Sequence, residues 1–326
     1  MRFGGGPLVQ APLSAVPELA ELEDTDMSSA KDQQQATAAS TEKFINVGGL
    51  KLQYNDVGAG DPILGIHGGG PGATAWGNFK QNLPALTKNR RMIMLNMPGF
   101  AKSEFPENCT EDFFDLMGRL LSDFLDALDI GRIDIIGNSM GGQAALGLAL
   151  RNNARIKHLV LIGSQPTAAG IVIQPQPQEA LNNIVKYYQG EGATIGKMRG
   201  LVESLVYDTS FLTRETLEER FAASMDPGPG QMRLLMLPRR DLYSELGKIA
   251  CPTLLIWGQE DKGGALEVGL QMLKKFQNAR MVIFQRCGHW AQVEHCDEFN
   301  RVVLDFFGTN YDGQAGSTRL PRQSFV

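Results

Sequence analysis

Cysteine and histidine are both scarce in this chain, which has only four of each among its 326 residues. The cysteines are scattered and form no CxxC pair: Cys109, Cys251, Cys287 and Cys296. This usage excludes the dense disulfide framework of small secreted domains and suits a reducing compartment. We therefore expect a cytoplasmic protein.

Long apolar runs and an excess of positive charge are missing as well. No stretch approaches the roughly 20 apolar residues that a membrane helix needs, and the first residues lack the continuous apolar core of a secretory signal. The formal net charge is -5 and no basic stripe is visible. Neither a membrane nor a nucleic acid is therefore expected as a partner.

Changes in composition divide the chain into segments. Residues 1–42 are rich in Ala, Gly, Gln, Ser and acidic residues, and residues 309–326 have a similar character. Both segments are predicted to be disordered or loose, because neither has a periodic apolar face. Residues 165–247 are polar and helix-like, with Pro and Gly breaks. They separate the two parts of a predicted core, 43–164 and 248–308.

Eight strand-like runs alternate with helix-like runs in that core. The strand-like runs are FINVGG, KLQYNDV, PILGIHG, RMIMLNMPG, RIDIIGNS, IKHLVLIGS, TLLIWGQED and ARMVIFQRCGHW. Several are apolar throughout, which is typical of a mostly parallel sheet covered by helices on both faces. We predict an α/β fold with an eight-stranded sheet of this kind. The insertion 165–247 is predicted to be a helical lid over the carboxyl edge of the sheet, where ligands bind in such folds. A long helix is expected to be capped by Thr110 and to carry Glu111 and Asp112 in its first turn.

A serine stands between glycines where one strand gives way to a helix. Gly137-Asn138-Ser139-Met140-Gly141 fits G-x-S-x-G, with RIDII before it and GGQAALGLAL after it. That strand–turn–helix context is what the nucleophile elbow of the α/β-hydrolase fold requires. The free N–H groups at the helix N-terminus also favour developing negative charge. Ser139 is therefore the candidate nucleophile, and the alternative is a serine that only caps the helix.

A serine nucleophile needs a general base, and histidine is the usual one. His289 follows an apolar strand and a Cys-Gly turn late in the chain, where the base of this arrangement belongs. His158, in contrast, lies inside a strand-like run and is interpreted as structural. The histidine in turn needs an acid that follows the serine in sequence. Asp261, at the end of TLLIWGQED, satisfies the order Ser, Asp, His, with Glu260 and Asp241 as rivals.

The run HGGGPG, His67 to Gly72, follows the third strand-like run. Glycines there would let backbone N–H groups approach an oxyanion, and we expect donors from Gly69 and Met140. A phosphate loop is the alternative, but the Lys and Ser/Thr of a P-loop are missing. A zinc site built from Cys287, His289 and their neighbours fits no structural zinc spacing, so no metal is expected.

Three segments together resemble the meta-cleavage product hydrolases of the α/β-hydrolase fold. They are GIHGGGPGATAWGNF, GNSMGGQAAL and CGHWAQVEHCDEFNRVVLDF, and the similarity extends from about Lys43 to Phe307. The resemblance implies hydrolysis of a carbon–carbon bond in 2-hydroxy-6-oxohexa-2,4-dienoates, without a cofactor. It also implies a homodimer or homotetramer. The substrate-binding residues that it implies are Gly68, Gly70, Asn78, Asn138, Arg220 and Trp290.

Arg220 has an independent case from its sequence context. It follows Leu217 by three residues and stands beside Phe221, which places it on the apolar face of a predicted helix in the insertion. An arginine there either extends its charge to solvent or pairs with a bound anion.

An ordinary serine hydrolase acting on esters, lactones or peptides remains the alternative activity, and a non-catalytic receptor of the same fold is the alternative class.

Overall fold

The computed structural model describes residues 36–166 and 179–308. Most of the predicted N-terminal segment lies outside these ranges, as do the C-terminal segment 309–326 and residues 167–178 of the insertion. None of the helices in the described ranges combines the length and the apolar character needed to span a bilayer.

Eight strands form one sheet in the described part of the chain. They are β1 (Glu42–Val47), β2 (Leu50–Gly58), β3 (Asp61–Ile66), β4 (Arg90–Leu95), β5 (Ile133–Asn138), β6 (Ile156–Ile162), β7 (Thr253–Gly258) and β8 (Ala279–Phe284). Their order is β1-β2-β4-β3-β5-β6-β7-β8. The strand β2 is antiparallel to β1 and β4, and the other neighbours are parallel. The predicted α/β-hydrolase fold with a mostly parallel sheet is confirmed.

Helices follow most of the strands and make up the insertion. They are α1 (Ala75–Phe79), α2 (Leu83–Leu86), α3 (Phe113–Ala127), α4 (Met140–Arg151), α5 (Glu179–Lys186), α6 (Ile195–Glu203), α7 (Arg214–Met225), α8 (Met232–Leu235), α9 (Leu266–Lys275), α10 (Ala291–Glu294) and α11 (Cys296–Phe307). Short 3-10 helices span Lys80–Asn82, Asn153–Arg155, Gly228–Gln231 and Tyr243–Lys248.

The sheet is buried on both faces because most positions of its central strands are apolar. Successive residues of β5 point to opposite sides. Ile135 packs into the core formed with α3, α4 and α9, and Ile136 packs into the core formed with α1, α2 and α11. Both side chains are fully buried, and such burial contributes about 1.5–3 kcal/mol for each aliphatic side chain.

The helix α3 begins later than the sequence pattern suggested. Its N-cap is Asp112, not Thr110, and the Asp112 carboxylate accepts a hydrogen bond of 2.9 Å from the amide of Phe114. The same carboxylate pairs with Arg240 at 2.8 Å. The amide of Phe113 donates to the carbonyl of Pro238 at 2.8 Å. These contacts with a distant part of the chain fix the start of the helix, so local capping preference did not decide it.

The insertion between β6 and β7 is helical in its described part, 179–248, where no strand occurs. Its helices have a small apolar core of their own, built around Tyr187, Met198, Leu201 and Leu217. Trp290, which follows β8, packs into that core. The amide of His289 also donates to the carbonyl of Leu205 at 2.6 Å. The insertion therefore contacts the loop after β8 directly.

The connections after β3 and β5 meet at one edge of the sheet. These two strands are parallel neighbours, and their pairing ends with Ile66 beside Gly137. From this point the chain builds the sheet outward in both directions, with β4 on one side and β6 on the other. In open α/β sheets, the crevice outside the carboxyl ends of the strands at such a reversal is where ligands bind. The segments HGGGPG and GNSMG therefore face the same crevice.

Candidate active site

Ser139 sits in a strained turn between β5 and α4. Its backbone angles are φ 52° and ψ −117°, a left-handed φ that non-glycine residues rarely adopt. The amide of Ser139 is held by the carbonyl of Ile162 at 2.7 Å. Strain of this kind costs about 1–3 kcal/mol and persists only where surrounding contacts impose it.

The flanking glycines are required by close backbone approach. A Cβ on Gly141 would lie 2.1 Å from the carbonyl oxygen of Ile66, and one on Gly137 would lie 2.5 Å from Gly142 Cα. A side chain at Gly141 would clash with the end of β3, and one at Gly137 would clash with the first turn of α4. The G-x-S-x-G spacing thus has a steric cause in this fold.

His289 and Asp261 are hydrogen bonded in the loops that follow β8 and β7. The distance from His289 Nδ1 to Asp261 Oδ2 is 2.7 Å. The other carboxylate oxygen, Asp261 Oδ1, accepts from the amides of Gly263 at 2.7 Å and Gly264 at 2.8 Å. The acid is therefore held from two sides, and the ring Nδ1 carries the shared proton. This leaves His289 Nε2 as the nitrogen available for a proton transfer.

The two rival acids face other groups. A carboxylate oxygen of Glu260 accepts from the amide of Cys287 at 3.0 Å. Asp241 accepts from the amide of Tyr243 at 2.9 Å. Of the three acids considered from the sequence, Asp261 alone is hydrogen bonded to His289 in the described structure.

The pKa of His289 is raised above its ordinary value. Burial by itself would lower this pKa, but the charge and hydrogen bond of Asp261 outweigh burial, with a further contribution from Glu294. The Asp261 carboxylate thus stabilises the imidazolium form of His289. A histidine that receives a proton from a nucleophile needs this property.

Glu294 is a residue that the sequence reasoning missed. Its carboxylate accepts from the amides of Tyr207 at 2.7 Å, Asp208 at 3.1 Å and Gly288 at 2.8 Å. It therefore joins the insertion to the loop that carries His289. Burial raises the pKa of Glu294 above its usual range. No sequence signal pointed to it, because two of its three partners are more than 80 residues away.

Ser139 and His289 line one cavity of about 200 Å³, here called the serine cavity. Its other lining residues include Gly68, Gly69, Asn138, Met140, Leu235, Arg239 and Trp290. Ser139 Oγ makes no hydrogen bond to any described residue. Hydrogen bonds between nucleophile and base commonly tighten only when substrate is bound.

The glycine loop after β3 is fixed by His67. Its Nε2 accepts from the amide of Met97 at 3.0 Å, and its Nδ1 donates to the carbonyl of Gly68 at 2.7 Å. Burial lowers the pKa of His67 to about 4, so the ring is neutral at physiological pH. His67 therefore orients the loop and is unsuited to act as the base.

Gly68 and Gly69 lie against the elbow. A Cβ on Gly68 would lie 2.8 Å from Asn138 Oδ1 and 3.4 Å from Ser139 Cβ, and one on Gly69 would lie 3.3 Å from the Met140 side chain. Gly70 differs from its neighbours. It has φ +100°, faces Ile184 of the insertion, and is not among the described residues that line the serine cavity.

A second cavity of about 200 Å³ lies on the other side of Trp290, which lines both. We call it the arginine cavity, since Arg220 and Asn78 line it. Arg220 as a whole is half-buried, but its Nε is fully buried and has no hydrogen-bond partner among the described residues. Asn78 Oδ1 is also buried without such a partner. The guanidinium carbon of Arg220 lies 5.1 Å from the centroid of the Trp290 ring.

Burial lowers the pKa of Arg220 to about 10, so the side chain stays charged at neutral pH. A desolvated cation with a free donor is a strong site for a carboxylate. Asn138 has a similar free group, because its Oδ1 is buried and unpartnered while its Nδ2 donates to the carbonyl of His289 at 3.2 Å. In the described ranges, no cluster of three or more His, Cys, Asp or Glu side chains is arranged to hold a metal ion.

The sheet and the elbow define this protein as an α/β hydrolase. In agreement, a family model described as "Alpha/beta hydrolase family" matches residues 63–302. The chain is 39% identical to a 2-hydroxy-6-oxononadienedioate/2-hydroxy-6-oxononatrienedioate hydrolase of Paraburkholderia xenovorans, over 83% of this chain and 96% of that protein. It is 34% identical to the Escherichia coli hydrolase of the same name, over 84% and 98% of the two chains.

Solved structures show the same likeness. The meta-cleavage product hydrolase of Pseudomonas fluorescens is 34% identical with a TM-score of 0.71, over 81% of this chain and 97% of that one. The 2-hydroxy-6-oxo-6-phenylhexa-2,4-dienoate hydrolase of a Rhodococcus species is 26% identical with a TM-score of 0.71, over 82% and 98%. The chain belongs to the meta-cleavage product hydrolases, which hydrolyse carbon–carbon bonds.

Proposed function

We propose that this protein cleaves the C5–C6 bond of a 2-hydroxy-6-oxohexa-2,4-dienoate, the ring-fission product of a catechol, with Ser139 as nucleophile. The products are a 2-hydroxypenta-2,4-dienoate and a carboxylic acid. Water supplies the hydroxyl group of the acid and the proton that the departing carbon fragment receives. No cofactor takes part in these steps.

The observation that carries this proposal is the pair of cavities that meet at Trp290. Ser139 and His289 line one, and a desolvated arginine with a free donor lines the other. A dienoate has its carboxylate at one end and its ketone five carbons away. With the C1 carboxylate at Arg220 and Asn78, the C6 carbonyl extends toward Ser139. An ordinary ester substrate would not need a buried cation at that distance from the serine.

The first step is conversion of the dienol to its keto form. In the keto form, C5 can leave with its electron pair because the charge passes into a carbonyl. The proton of the C2 hydroxyl group moves to C5, and the charge on Arg220 stabilises the negative charge that builds on the C2 oxygen during this transfer. Asn78, Asn138 and Trp290 position the diene, and the free amide oxygens of the two asparagines can accept from its hydroxyl group.

The second step is attack of Ser139 Oγ on C6. His289 Nε2 takes the hydroxyl proton, and Asp261 stabilises the imidazolium that results. The amides of Gly69 and Met140 receive the negative charge on the C6 oxygen, and each such donor contributes roughly 3 kcal/mol to the transition state. Gly68 and Gly70 shape the loop that presents the Gly69 amide. Collapse of the resulting adduct breaks the C5–C6 bond. Its electron pair passes through the carbon chain to the C2 oxygen, and the 2-hydroxypenta-2,4-dienoate leaves with the proton that His289 had taken. Water then attacks the acyl-serine, His289 takes a proton from the water and returns it to Ser139 Oγ, and the acid is released.

We also propose that the insertion acts as a lid. The hydrogen bond from the His289 amide to Leu205 and the three amide contacts of Glu294 link it to the base. A closed lid excludes water and strengthens the charge interactions inside. The proposal includes a cytoplasmic enzyme, which fits four cysteines that are all free thiols. It also includes assembly as a homodimer or homotetramer.

The experiment is a comparison of wild type and Ser139→Ala on a panel of yellow ring-fission products, with the loss of colour as the readout. We expect the wild type to bleach at least one dienoate, and the variant to bind it, seen as a spectral shift, without turnover. Unchanged turnover in the variant would exclude Ser139 as nucleophile. Esterase activity without bleaching of any dienoate would favour an ordinary serine hydrolase.

A further inference from the structure

A second half-buried arginine lies on the wall of the serine cavity. Arg239, in the segment between α8 and β7, lines this cavity together with Ser139 and Gln143. We propose that Arg239 is a specificity-determining residue that binds an anionic group on the C6 substituent of the substrate. This inference rests on the proposed function, because it assumes that C6 is attacked by Ser139.

The charge of Arg239 is not neutralised by a carboxylate. In the described ranges no acidic side chain lies within ion-pair distance of it. The segment 167–178 contains no Asp or Glu at all. Burial lowers the pKa of Arg239 to about 10, so the guanidinium is desolvated and still charged. The guanidinium carbon lies 4.2 Å from the centroid of the Phe113 ring, and the charge of Asp112 acts on it from a longer distance. Neither contact is an ion pair.

The hydrogen bonds of Arg239 leave part of the guanidinium available. Nη1 donates to the carbonyls of Leu235 at 2.6 Å and Leu237 at 3.1 Å, and Nη2 donates to that of Leu234 at 3.2 Å. The remaining Nη2 contact is with Met140 Sδ at 3.6 Å, and thioether sulfur is a weak acceptor. Nε donates to no described residue. Two of the five N–H groups are therefore free or weakly bound.

The neighbouring residue, Arg240, is an arginine whose charge is balanced by ion pairs. Arg240 pairs with Asp112 and Asp115 at 2.8 Å each and with Glu245 at 3.3 Å. The chain thus pairs Arg240 with carboxylates and leaves Arg239, which lines the serine cavity, without an ion pair in the described ranges. Closing the end of α8 by hydrogen bonds to its carbonyls does not require a full charge, since a neutral glutamine amide can donate there too.

The two arginines lie in different cavities, with Trp290 between them. If Arg220 holds the C1 carboxylate and Ser139 attacks C6, the C6 substituent must extend into the serine cavity. Leu181, Ile184 and Leu235 line that cavity and would contact the aliphatic part of the substituent. Arg239 would then bind an acidic group at its end. The substituent class is a short aliphatic chain that ends in a carboxylate.

The test compares two substrates of equal length. 2-Hydroxy-6-oxonona-2,4-dienedioate has a carboxylate at C9, and 2-hydroxy-6-oxonona-2,4-dienoate has a methyl group there. For the wild type we expect kcat/KM to be at least about tenfold higher for the diacid. Arg239→Gln should lower kcat/KM for the diacid about 10- to 100-fold, mostly through KM, as expected for loss of a charged hydrogen bond. The neutral substrate should change less than about threefold.

Arg233→Gln is the matched control, because it removes one positive charge from an exposed position on α8. It should leave both substrates unaffected. Equal losses on both substrates in Arg239→Gln would overturn the proposal. Arg239 would then either bind the C1 carboxylate, which both substrates have, or have a purely structural role. No loss on either substrate would overturn it as well.

The wild type alone keeps the proposal testable if Arg239→Gln does not fold. Cleavage of the neutral dienoate at least as fast as the diacid would refute the role of Arg239 and leave the proposed function intact. Cleavage of neither dienoate would overturn the assigned substituent class, and failure to bleach any dienoate of the wider panel would refute the proposed function itself.

Discussion

The packing of a glycine against the histidine–aspartate pair gives the sharpest prediction. Gly163, directly after β6, has φ +54°, and a Cβ there would lie 2.8 Å from His289 Nδ1 and 2.9 Å from Asp261 Oδ2. A methyl group at this position would enter the hydrogen bond that joins the two side chains. We therefore expect Gly163→Ala to damage catalysis although residue 163 has no chemical role.

The magnitude follows from the contact distances. Carbon atoms pack best at about 3.5–4.0 Å, so the imidazole or the backbone must move by roughly 1 Å to make room. A misplacement of about 1 Å can cost roughly 10²-fold in rate. The left-handed φ adds about 1–2 kcal/mol of strain for alanine, and overpacking adds about 1–3 kcal/mol. We expect kcat to fall about 10²-fold or more and the free energy of unfolding to fall by about 2–5 kcal/mol.

Gly49→Ala separates the two effects. Gly49 has φ +84° in the β1–β2 turn, and nothing lies within 4 Å of a Cβ built on it. This variant should lose about 1–2 kcal/mol of stability and keep its kcat. The assays are bleaching of a dienoate for kcat and urea unfolding for stability. A folded Gly163→Ala with wild-type kcat would show that the position of the His289 ring against Asp261 does not limit the reaction.

Two further predictions concern charge. If His289 is the base, as we propose, it acts in its neutral form, and its pKa is raised; kcat/KM should then fall as the pH drops through a value above about 6.5. Asp261→Asn should move the acidic limb of the kcat/KM profile to lower pH and lower kcat by up to about 10⁴-fold. If the limb does not move, it reports the titration of a group other than His289. Arg220→Gln should lower kcat/KM for the dienoate by about 10²-fold or more and for a neutral p-nitrophenyl ester by less than about threefold. Equal losses on both substrates would argue against carboxylate recognition by Arg220.

The same shift in His289 has a consequence for stability. A histidine whose folded-state pKa is raised contributes stability that is fully present below its unfolded value, about 6.5. That contribution is lost as the pH rises through the folded-state pKa. The catalytically useful form of His289 is therefore the form in which its ion pair with Asp261 no longer stabilises the fold.

Much of the fold was readable from the sequence because its signals are local. All eight strands coincide with the runs chosen by apolar content, since central strands of a parallel sheet must be apolar on both faces. The elbow at Ser139 was readable for a similar reason. Glycine is required at fixed positions around the serine because any side chain there would clash with the backbone of β3 or α4. The requirement therefore appears in the sequence as a fixed spacing.

The start of α3 and the choice among the acids were less well determined. Thr110 and Asp112 are both good caps in isolation, and contacts with Pro238 and Arg240 selected Asp112. Glu260 and Asp261 are adjacent, so the order of the residues along the chain could not separate them. The amides of Gly263 and Gly264, which hold Asp261, are visible only in the folded loop.

By itself, the sequence predicted the strands and the elbow, because apolar runs and the G-x-S-x-G spacing are patterns within a few residues. The tertiary structure decided which charges are left without a partner. Arg239 and Arg240 are consecutive and chemically identical, yet three carboxylates from elsewhere in the chain surround one and the other lines the serine cavity. Burial and pairing are properties of what packs around a side chain, and residue type alone does not encode them.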